Sequence, residues 1–347
     1  MDEQDAIDVR SLHPVGLGYA LHAAGQLHEA REVADRGYAA AVAVQASALA
    51  GWWAGFKGVI AKAQGRLSDA KTSLREAVVL KEYGDPAQSA QIWLAELAGA
   101  NALCGDGVAA RHWLSRADAY EVTADQPMDA WVELDRAWVV SVLDSPRAGV
   151  ETARNAAKMA HENEQPAFEA IALYDMARLG AASAIWRRLD KLAHDTNGGF
   201  AAILARSAAA LATGDGQALE RSAASFADHG HLLLAAEAAA AAARAFQRIG
   251  QGVRSRIAVE RAAALVGLCQ GAHTPLLHLD GFHAVLTYRE REIATMAINL
   301  TSRRIADRLG LSIHTVNNTL ARAYAKLGVT NRRDLAAFFG GAARQAS

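Results

Sequence analysis

Apolar residues recur at helical spacing along the first 270 residues, in units joined by a short turn phrase. In each phrase a small residue stands where one helix should end, and an apolar residue follows five positions later, as in Gly25-Gln-Leu-His-Glu-Ala30 and Gly65-Arg-Leu-Ser-Asp-Ala70. Glycine suits the left-handed position that ends a helix, and Leu67, Leu74 and Ala77 form a stripe at helical spacing. The phrases start 34 to 40 residues apart, at Gly25, Gly65, Gly105, Ser145, Gly180, Gly214 and Gly250.

This spacing predicts helical hairpins that resemble tetratricopeptide-like repeats, which stack because no single unit can bury its apolar stripe. An irregular helical bundle is the alternative, since an Ala-rich chain offers many chance matches to a short phrase. A hairpin array presents a concave groove for a peptide, a protein or a small ligand, and the fold does not name which. Tryptophans could line the groove, although filling gaps between helices is the simpler interpretation of Trp52, Trp53, Trp93 and Trp113.

A different pattern of caps and apolar positions occupies residues 286–347. Thr287 can cap a first helix, and the Glu290 side chain can accept a hydrogen bond from the backbone amide of Thr287. This helix would bury Ile293, Met296 and Ala297 and end near Asn299. Thr301 or Ser302 can cap a second helix. This second helix turns Ile305, Ala306 and Leu309 inward, and Gly310 ends it in the tight turn that a helix-turn-helix motif requires.

The third helix of this region has two contrasting faces. Ser312 can cap it, and it is predicted to run from Ile313 to about Leu327. Its apolar side holds Val316, Leu320, Ala323 or Tyr324, and Leu327. Its other side holds His314, Asn317, Asn318, Ala321 and Arg322. A fourth helix, capped by Thr330 or Asn331 and containing Leu335 and Phe338, would close the domain and offer a dimer face.

Such a helix fits the major groove of DNA, where its polar face would meet base edges. A bidentate Asn–adenine contact is worth about 1–3 kcal/mol of discrimination, and an Ala side chain can touch a thymine methyl group. We therefore expect base contacts from His314, Asn317, Asn318 and Ala321. We expect phosphate contacts from Ser302, Arg303, Arg304, Ser312, Thr315, Arg322 and Lys326.

The charge distribution separates the same two regions. Residues 285–347 carry ten Arg and Lys against four acidic side chains, a net charge of +6, which leaves −7 for the rest of a chain whose total is −1. A small basic module on an acidic body indicates that only the carboxy-terminal part meets a polyanion.

The sequence gives no sign of an enzyme, a cofactor site or export. Two cysteines, Cys104 and Cys269, cannot form a disulfide framework, no secretory leader is recognisable, and the longest apolar tract, Leu232 to Phe246, is interrupted by charges. We therefore expect a cytoplasmic protein without a membrane span. The segment Gly51 to Gly58 lacks the hydroxyl residue of a phosphate loop, and His161 has no second histidine one turn later as in zinc proteases.

A cluster of potential zinc ligands lies just before the basic region, at Cys269, His273, His278 and His283. Their spacing matches no common zinc signature. Gly271, Pro275 and Gly281 are typical of a connector, so an exposed linker is the preferred interpretation and no metal is expected.

Three runs in the carboxy-terminal region resemble the LuxR/FixJ-type output domain of transcription regulators. They are Leu286-Thr-x-Arg-Glu-Arg-Glu-Ile293, Ile305-Ala306-x-x-Leu309-x-Leu311-Ser312-x-x-Thr315-Val316 and Lys326-Leu327-Gly328-Val329-x-x-Arg332-x-x-Leu335. The resemblance implies operator binding, usually as a dimer, with the third helix as the reader. Members of that family commonly carry Glu at the position of Arg304 and His at the position of Thr319, so phosphate contacts and operator sequence are expected to differ here.

The helical array, together with Gly271-Ala-His-Thr-Pro275, resembles the carboxy-terminal half of the large MalT-like (LAL) regulators. Those regulators also have an amino-terminal ATPase, so this sequence would be a naturally short member or a fragment. We predict an all-α chain with an array at 1–270, a linker at 271–285 and a helix-turn-helix domain at 286–347. The predicted function is a transcription regulator whose array senses an unknown protein or small molecule. The alternative is an adaptor that acts through the array and binds DNA weakly or without specificity.

Overall fold

The computed structural model describes residues 9–85, 89–120, 128–196, 199–277, 288–327, 331–332 and 335. Every regular element within these ranges is helical, which confirms the predicted all-α class. The chain divides into two compact units, Met1–Leu277 and His278–Ser347.

The first unit is an array of successive helical hairpins, and seven of them lie within the described ranges. The paired helices are α1 (Val9–Ala23) with α2 (Leu27–Ala43), α3 (Ser47–Ala63) with α4 (Leu67–Leu80), α5 (Ala90–Leu103) with α6 (Gly107–Asp118), α7 (Asp129–Leu143) with α8 (Pro146–Glu162), α9 (Pro166–Met176) with α10 (Ala182–Asp195), α11 (Gly199–Thr213) with α12 (Gly216–Asp228), and α13 (Leu232–Arg248) with α14 (Gly252–Leu268). Short 3-10 segments follow α4 and α14, at Lys81–Tyr83 and Pro275–Leu277, and a π-helical turn, Ala177–Ala181, joins α9 to α10.

Each predicted turn phrase lies at the turn inside one hairpin, and local chemistry explains why. The glycines that end the first helices have a positive φ, for example 74° at Gly25 and 82° at Gly65. A side chain at Gly65 would also lie 2.9 Å from the backbone nitrogen of Leu233, so glycine is required there for space as well. A polar side chain caps some of the second helices: Asp106 accepts a hydrogen bond from the Ala109 amide at 3.0 Å, and Ser145 accepts one from the Ala148 amide at 3.2 Å.

From the second hairpin onward, the first helix of each hairpin is the more buried of the two. In α5 nearly every side chain is buried, whereas its partner α6 buries only Ala110, Leu114 and Ala117. The tryptophans named above pack into this core: Trp53 and Trp93 are buried, and Trp52 and Trp113 are partly buried against the same cluster. Filling the space between small side chains is therefore the role that these four residues have in the fold.

The array curves until its last hairpins contact its first ones. The backbone amides of Ser68 and Asp69 both donate to Gln270 Oε1, at 3.0 and 3.1 Å, and the His273 amide donates to the Leu103 carbonyl at 2.7 Å. Thr274 Oγ1 donates to Glu237 Oε1 at 2.7 Å. Residues 271–277, predicted as part of a linker, therefore pack on the array, because their backbone and side-chain polar groups form hydrogen bonds there.

The second unit contains α15 (Tyr288–Ala297), α16 (Ser302–Leu309) and α17 (Ile313–Leu327). Its small core consists of Ile293, Ala294, Ala297, Ile305, Ala306, Val316, Leu320, Ala323 and Leu335. The Leu335 amide donates to the Asn331 carbonyl at 3.1 Å, a helical bond at the place of the predicted fourth helix. Thr287, Thr330 and Phe338 lie outside the described residues.

Candidate nucleic-acid interface

The helix α16 begins with a polar cap and ends in a sharp turn. Thr301 Oγ1 accepts a hydrogen bond from the Arg304 amide at 3.4 Å, so Thr301 and not Ser302 is the cap. At the other end Gly310 adopts a left-handed conformation, with φ 63°, and the Leu311 amide donates back to the Ala306 carbonyl at 2.9 Å. This closed end sets the angle at which the chain enters α17.

A hydrogen-bonded clamp fixes the amino-terminal end of α16. Arg332 Nη2 donates to Ser302 Oγ at 2.9 Å, and Nη1 of the same guanidinium donates to the Leu300 carbonyl. Ser302 is thereby half-buried and its oxygen already accepts one bond, although its hydroxyl hydrogen stays available to a phosphate. The sequence alone predicts no role for Arg332, because its partners lie 30 and 32 residues away.

The amino-terminal end of α17 is capped by an exposed pair of hydroxyl residues. Ser312 Oγ accepts from the Thr315 amide at 3.0 Å, as predicted, and lies 2.7 Å from Thr315 Oγ1. Backbone N–H groups that have no helical partner concentrate at such an end, together with the positive end of the helix dipole. A phosphate that approaches this end would therefore be attracted by the helix and by two hydroxyl groups.

The two faces of α17 have opposite character. Val316 and Ala323 are fully buried and Leu320 is nearly so. The exposed side chains are His314, Asn317, Asn318, Ala321 and Arg322. At a rise of about 1.5 Å per residue, this exposed stripe extends over roughly 12 Å. The stripe therefore offers amide and imidazole groups on a rigid helix, in the length that a major groove can accept.

Basic side chains flank this stripe. Arg303 and Arg304 lie in the first turn of α16 and are exposed, as is Arg322 on α17. Lys326 belongs to the last turn of α17, but its side chain lies outside the described residues. The described part of the surface therefore combines a polar helix face with cations and two helix amino-termini, which is the chemistry of a nucleic-acid interface.

Comparison with known proteins decides which family this unit belongs to. Residues 284–339 match the model of the bacterial regulatory proteins of the luxR family. The carboxy-terminal unit is a luxR-family domain. A 97-residue stretch of the chain is 38% identical to the DNA-binding transcriptional activator DevR/DosR of Mycobacterium tuberculosis, and covers 28% of this chain and 42% of that protein. The aligned part of the chain thus spans less than half the length of this curated relative.

The match confirms the predicted resemblance, and the luxR-family domain supplies the helix-turn-helix motif that the cap and turn residues indicated. The family is one of regulatory proteins. The assignment covers the carboxy-terminal unit alone, because the family model does not extend into the array.

The suspected zinc ligands do not come together within the described residues, where no group of three His, Cys, Asp or Glu side chains could hold a metal ion. Burial raises the pKa of the Cys269 thiol to about 12, with the Glu237 charge adding to the effect, and Sγ donates to the Leu265 carbonyl. Metal ligation requires the thiolate, which this environment disfavours. His278 and His283 lie outside the described residues. In the described part of the chain, no helix is both long and apolar enough to cross a membrane.

Proposed function

We propose that this protein is a sequence-specific DNA-binding transcription regulator and not an enzyme. In the proposed complex α17 enters the major groove, and Asn317, Asn318 and Ala321 face base edges while His314 supports them. The observation that carries the proposal is the exposed polar stripe of α17, opposite a fully buried apolar one, in a luxR-family domain. Solvation of the stripe would be achieved by any polar side chains and does not require two adjacent amides at its centre.

Phosphate groups would be held on both sides of this helix. The side chains that we assign to them are Ser302, Arg303, Arg304, Ser312, Thr315, Arg322 and Lys326. These contacts fix the position of the domain on the duplex and supply most of the salt dependence of binding, while they carry little sequence information.

The array is the proposed sensing part, which transmits the presence of an effector to the luxR-family domain in the cytoplasm. Binding as a homodimer would place two copies of α17 in successive major grooves, about 34–36 Å apart, so the operator would be an inverted repeat. The relative named above is a transcriptional activator, and whether this protein activates or represses follows from where its operator lies relative to a promoter.

Selection of duplexes from a random library by the full chain tests this proposal. We expect a recovered sequence that the parent binds at least a hundredfold more tightly than a scrambled duplex, with a steep dependence on salt. The variant Asn317→Ala/Asn318→Ala should lose most of that preference. Asn155→Ala/Asn163→Ala removes two exposed amides from the array, one in α8 and one directly after it, and should change nothing.

Two results would contradict the proposal. If the parent recovers no preferred sequence, the adaptor function becomes the better account, because the array would then be the active part. If the Asn317→Ala/Asn318→Ala variant keeps the full preference of the parent, DNA is read by another surface.

A further inference from the structure

The buried helices of the array line a partly open cavity of about 120 Å³. Each first helix of a hairpin contributes to its wall, from α1 through α13, so the cavity follows the axis around which the hairpins curve. All of the residues that line it lie within the described ranges of the first unit. The cavity is therefore a feature of the array alone.

Three charged side chains meet in this wall, each from a different hairpin. Lys62 Nζ of α3 lies 2.8 Å from Glu96 Oε2 of α5 and also donates to Asp135 Oδ1 of α7. Glu96 and Asp135 are 0% and 2% exposed. Among the described residues, Glu96 Oε1 and Asp135 Oδ2 have no hydrogen-bond partner. Buried acceptors without a donor are costly, particularly when the group is charged.

In a second charged cluster, which reaches the wall through Asp175 and Arg178, every carboxylate oxygen has a hydrogen-bond donor. Arg178 donates to Asp175 Oδ1 at 2.6 Å and to both carboxylate oxygens of Glu237, at 2.7 and 2.8 Å. Trp138 Nε1 donates to the other Asp175 oxygen at 2.8 Å. Among the described residues of this wall, carboxylate oxygens without a hydrogen-bond donor therefore occur only at Glu96 and Asp135.

Carboxyl groups outnumber cations in the wall of the cavity. Two cations, Lys62 and Arg178, line it together with three carboxyl groups, those of Glu96, Asp135 and Asp175. Two histidines also line the wall, but they contribute no positive charge at neutral pH. Burial and the Lys62 charge lower the pKa of His22 to about 4, and burial, with His22 nearby, lowers that of His231 to about 3. Burial, followed by the Glu96 charge, raises the pKa of Asp135 well above its ordinary value, so a further cation beside these two carboxyl groups would favour the ionised form of Asp135.

Aromatic side chains also line the cavity, one of them a helical turn before Asp135 on α7. The Trp131 ring stacks on His22, with centroids 5.2 Å apart, and contacts Phe168 at 5.1 Å. Aromatic faces bury apolar groups and attract cations through their quadrupole. The cavity thus combines an apolar surface with carboxyl oxygens that have no hydrogen-bond donor.

We propose that this cavity is an effector site for a small organic amine in its protonated form. The ammonium group donates to Glu96 Oε1 and Asp135 Oδ2, and the hydrocarbon or aromatic part packs against Trp131 and Phe168. A cavity of ~150 Å³ in another protein holds benzene, so the ligand here is about the size of one aromatic ring. The proposal deepens the sensing role of the array and rests on it only for the consequence on DNA binding.

Three matched probes test this proposal on the full chain: benzylamine, benzyl alcohol and benzoate share one ring and differ in charge. Isothermal titration, with quenching of tryptophan fluorescence as a second readout, should show benzylamine binding at least tenfold more tightly than benzyl alcohol. Benzoate should not bind, because the wall has an excess of carboxylates. Equal binding of benzyl alcohol and benzylamine would overturn the proposal, and so would binding of none of the three, which would mean that the cavity holds water only.

A variant pair locates the site. Asp135→Asn keeps the size of the side chain and removes its charge, so the preference for benzylamine over benzyl alcohol should fall at least fivefold. Asp190→Asn, at an exposed position of α10, is the control and should leave the preference unchanged. If far-UV circular dichroism shows that Asp135→Asn does not fold, Glu96→Gln replaces it. A preference that survives in the folded variant, or that falls equally in the control, contradicts the assignment.

Failure of this site and failure of the proposed function are distinguishable, because the titrations contain no DNA. Benzylamine binding by a chain that recovers no preferred duplex would leave the site standing and remove the regulator. Recovery of a preferred duplex by a chain that binds none of the probes would do the reverse.

Discussion

The side-chain amide nitrogen of Asn318 lies 3.3 Å from Nδ1 of His314, one helical turn earlier on the exposed face of α17. An asparagine amide has two N–H groups and one carbonyl oxygen. The bond to His314 uses one N–H group, and the remaining N–H and Oδ1 are the pair that binds N7 and the N6 amino group of adenine. In this arrangement His314 orients Asn318 toward a base.

We therefore predict that His314→Ala weakens binding to the selected duplex by about 0.5–1.5 kcal/mol, the net value of one hydrogen bond. The same substitution should have no further effect when Asn318 is already Ala, because the bond is then absent. Fluorescence anisotropy on the parent, His314→Ala, Asn318→Ala and the double variant measures the coupling energy between the two side chains. Equal losses in both backgrounds would mean that His314 contacts DNA independently.

Arg303 and Arg304 are predicted to act on the phosphate backbone. Replacing both by Ala should reduce the slope of log affinity against log salt by about one unit per side chain, since each phosphate contact releases counterions. The preference for the selected duplex over a scrambled one should stay the same. The control is Arg154→Ala/Arg187→Ala, which removes two exposed charges from the array. An unchanged slope in the first variant would remove these residues from the interface.

Gly310 ends α16 with φ 63°, and nothing lies within 4 Å of the position that a side chain would occupy there. Only the backbone conformation therefore opposes substitution. Gly310→Ala should destabilise the luxR-family domain by about 1–2 kcal/mol, and Gly310→Asn should cost less, because Asn tolerates the left-handed region. Hydrogen exchange of α16 amides reports this domain separately from the array. Equal losses for the two variants would contradict this explanation.

His22 makes the stability of the array depend on pH. Its pKa is lowered to about 4 in the folded protein, by burial among groups that include Trp131, His231 and the charged Lys62. The unfolded chain, with an ordinary histidine pKa near ~6.5, binds more protons between these values, so this contribution is present above about pH 6.5 and is lost as the pH falls toward 4.

Urea denaturation across that window should show stability falling by roughly 1 kcal/mol per pH unit on account of this one side chain. His22→Gln should flatten the decline, and the exposed His28→Gln should not. His231, whose pKa is lowered to about 3, also makes stability fall at low pH, and it does so in the parent and in both variants. A decline that is identical in the parent and in His22→Gln would show that His22 can be protonated without unfolding.

Features that depend on neighbouring residues could be predicted from the sequence. The turn glycines, the caps at Asp106, Ser145 and Ser312, and the two faces of α17 follow from helical periodicity and local hydrogen bonding. The luxR-family domain could be recognised because its motif residues lie within about sixty positions of one another. The contacts of that domain with DNA stay predictions.

Features that depend on how hairpins stack could not be predicted. Lys62, Glu96 and Asp135 are separated by 34 to 73 positions, and only the curvature of the array brings them together. The same curvature seats residues 271–277 on the array, although their glycine and proline content is typical of a connector. Arg332 was missed as a clamp on Ser302 for a similar reason, since its partner belongs to a different helix.

If Asn317 and Asn318 read adenine in the major groove, base substitution in the selected duplex will show it. Replacing each adenine in turn by 7-deazaadenine removes the N7 acceptor and leaves base pairing intact. At one or two positions the parent should lose about 1–3 kcal/mol, whereas Asn317→Ala/Asn318→Ala should lose nothing more at those positions. If the parent and the variant lose the same energy at every adenine, the account of α17 as the reading helix is contradicted.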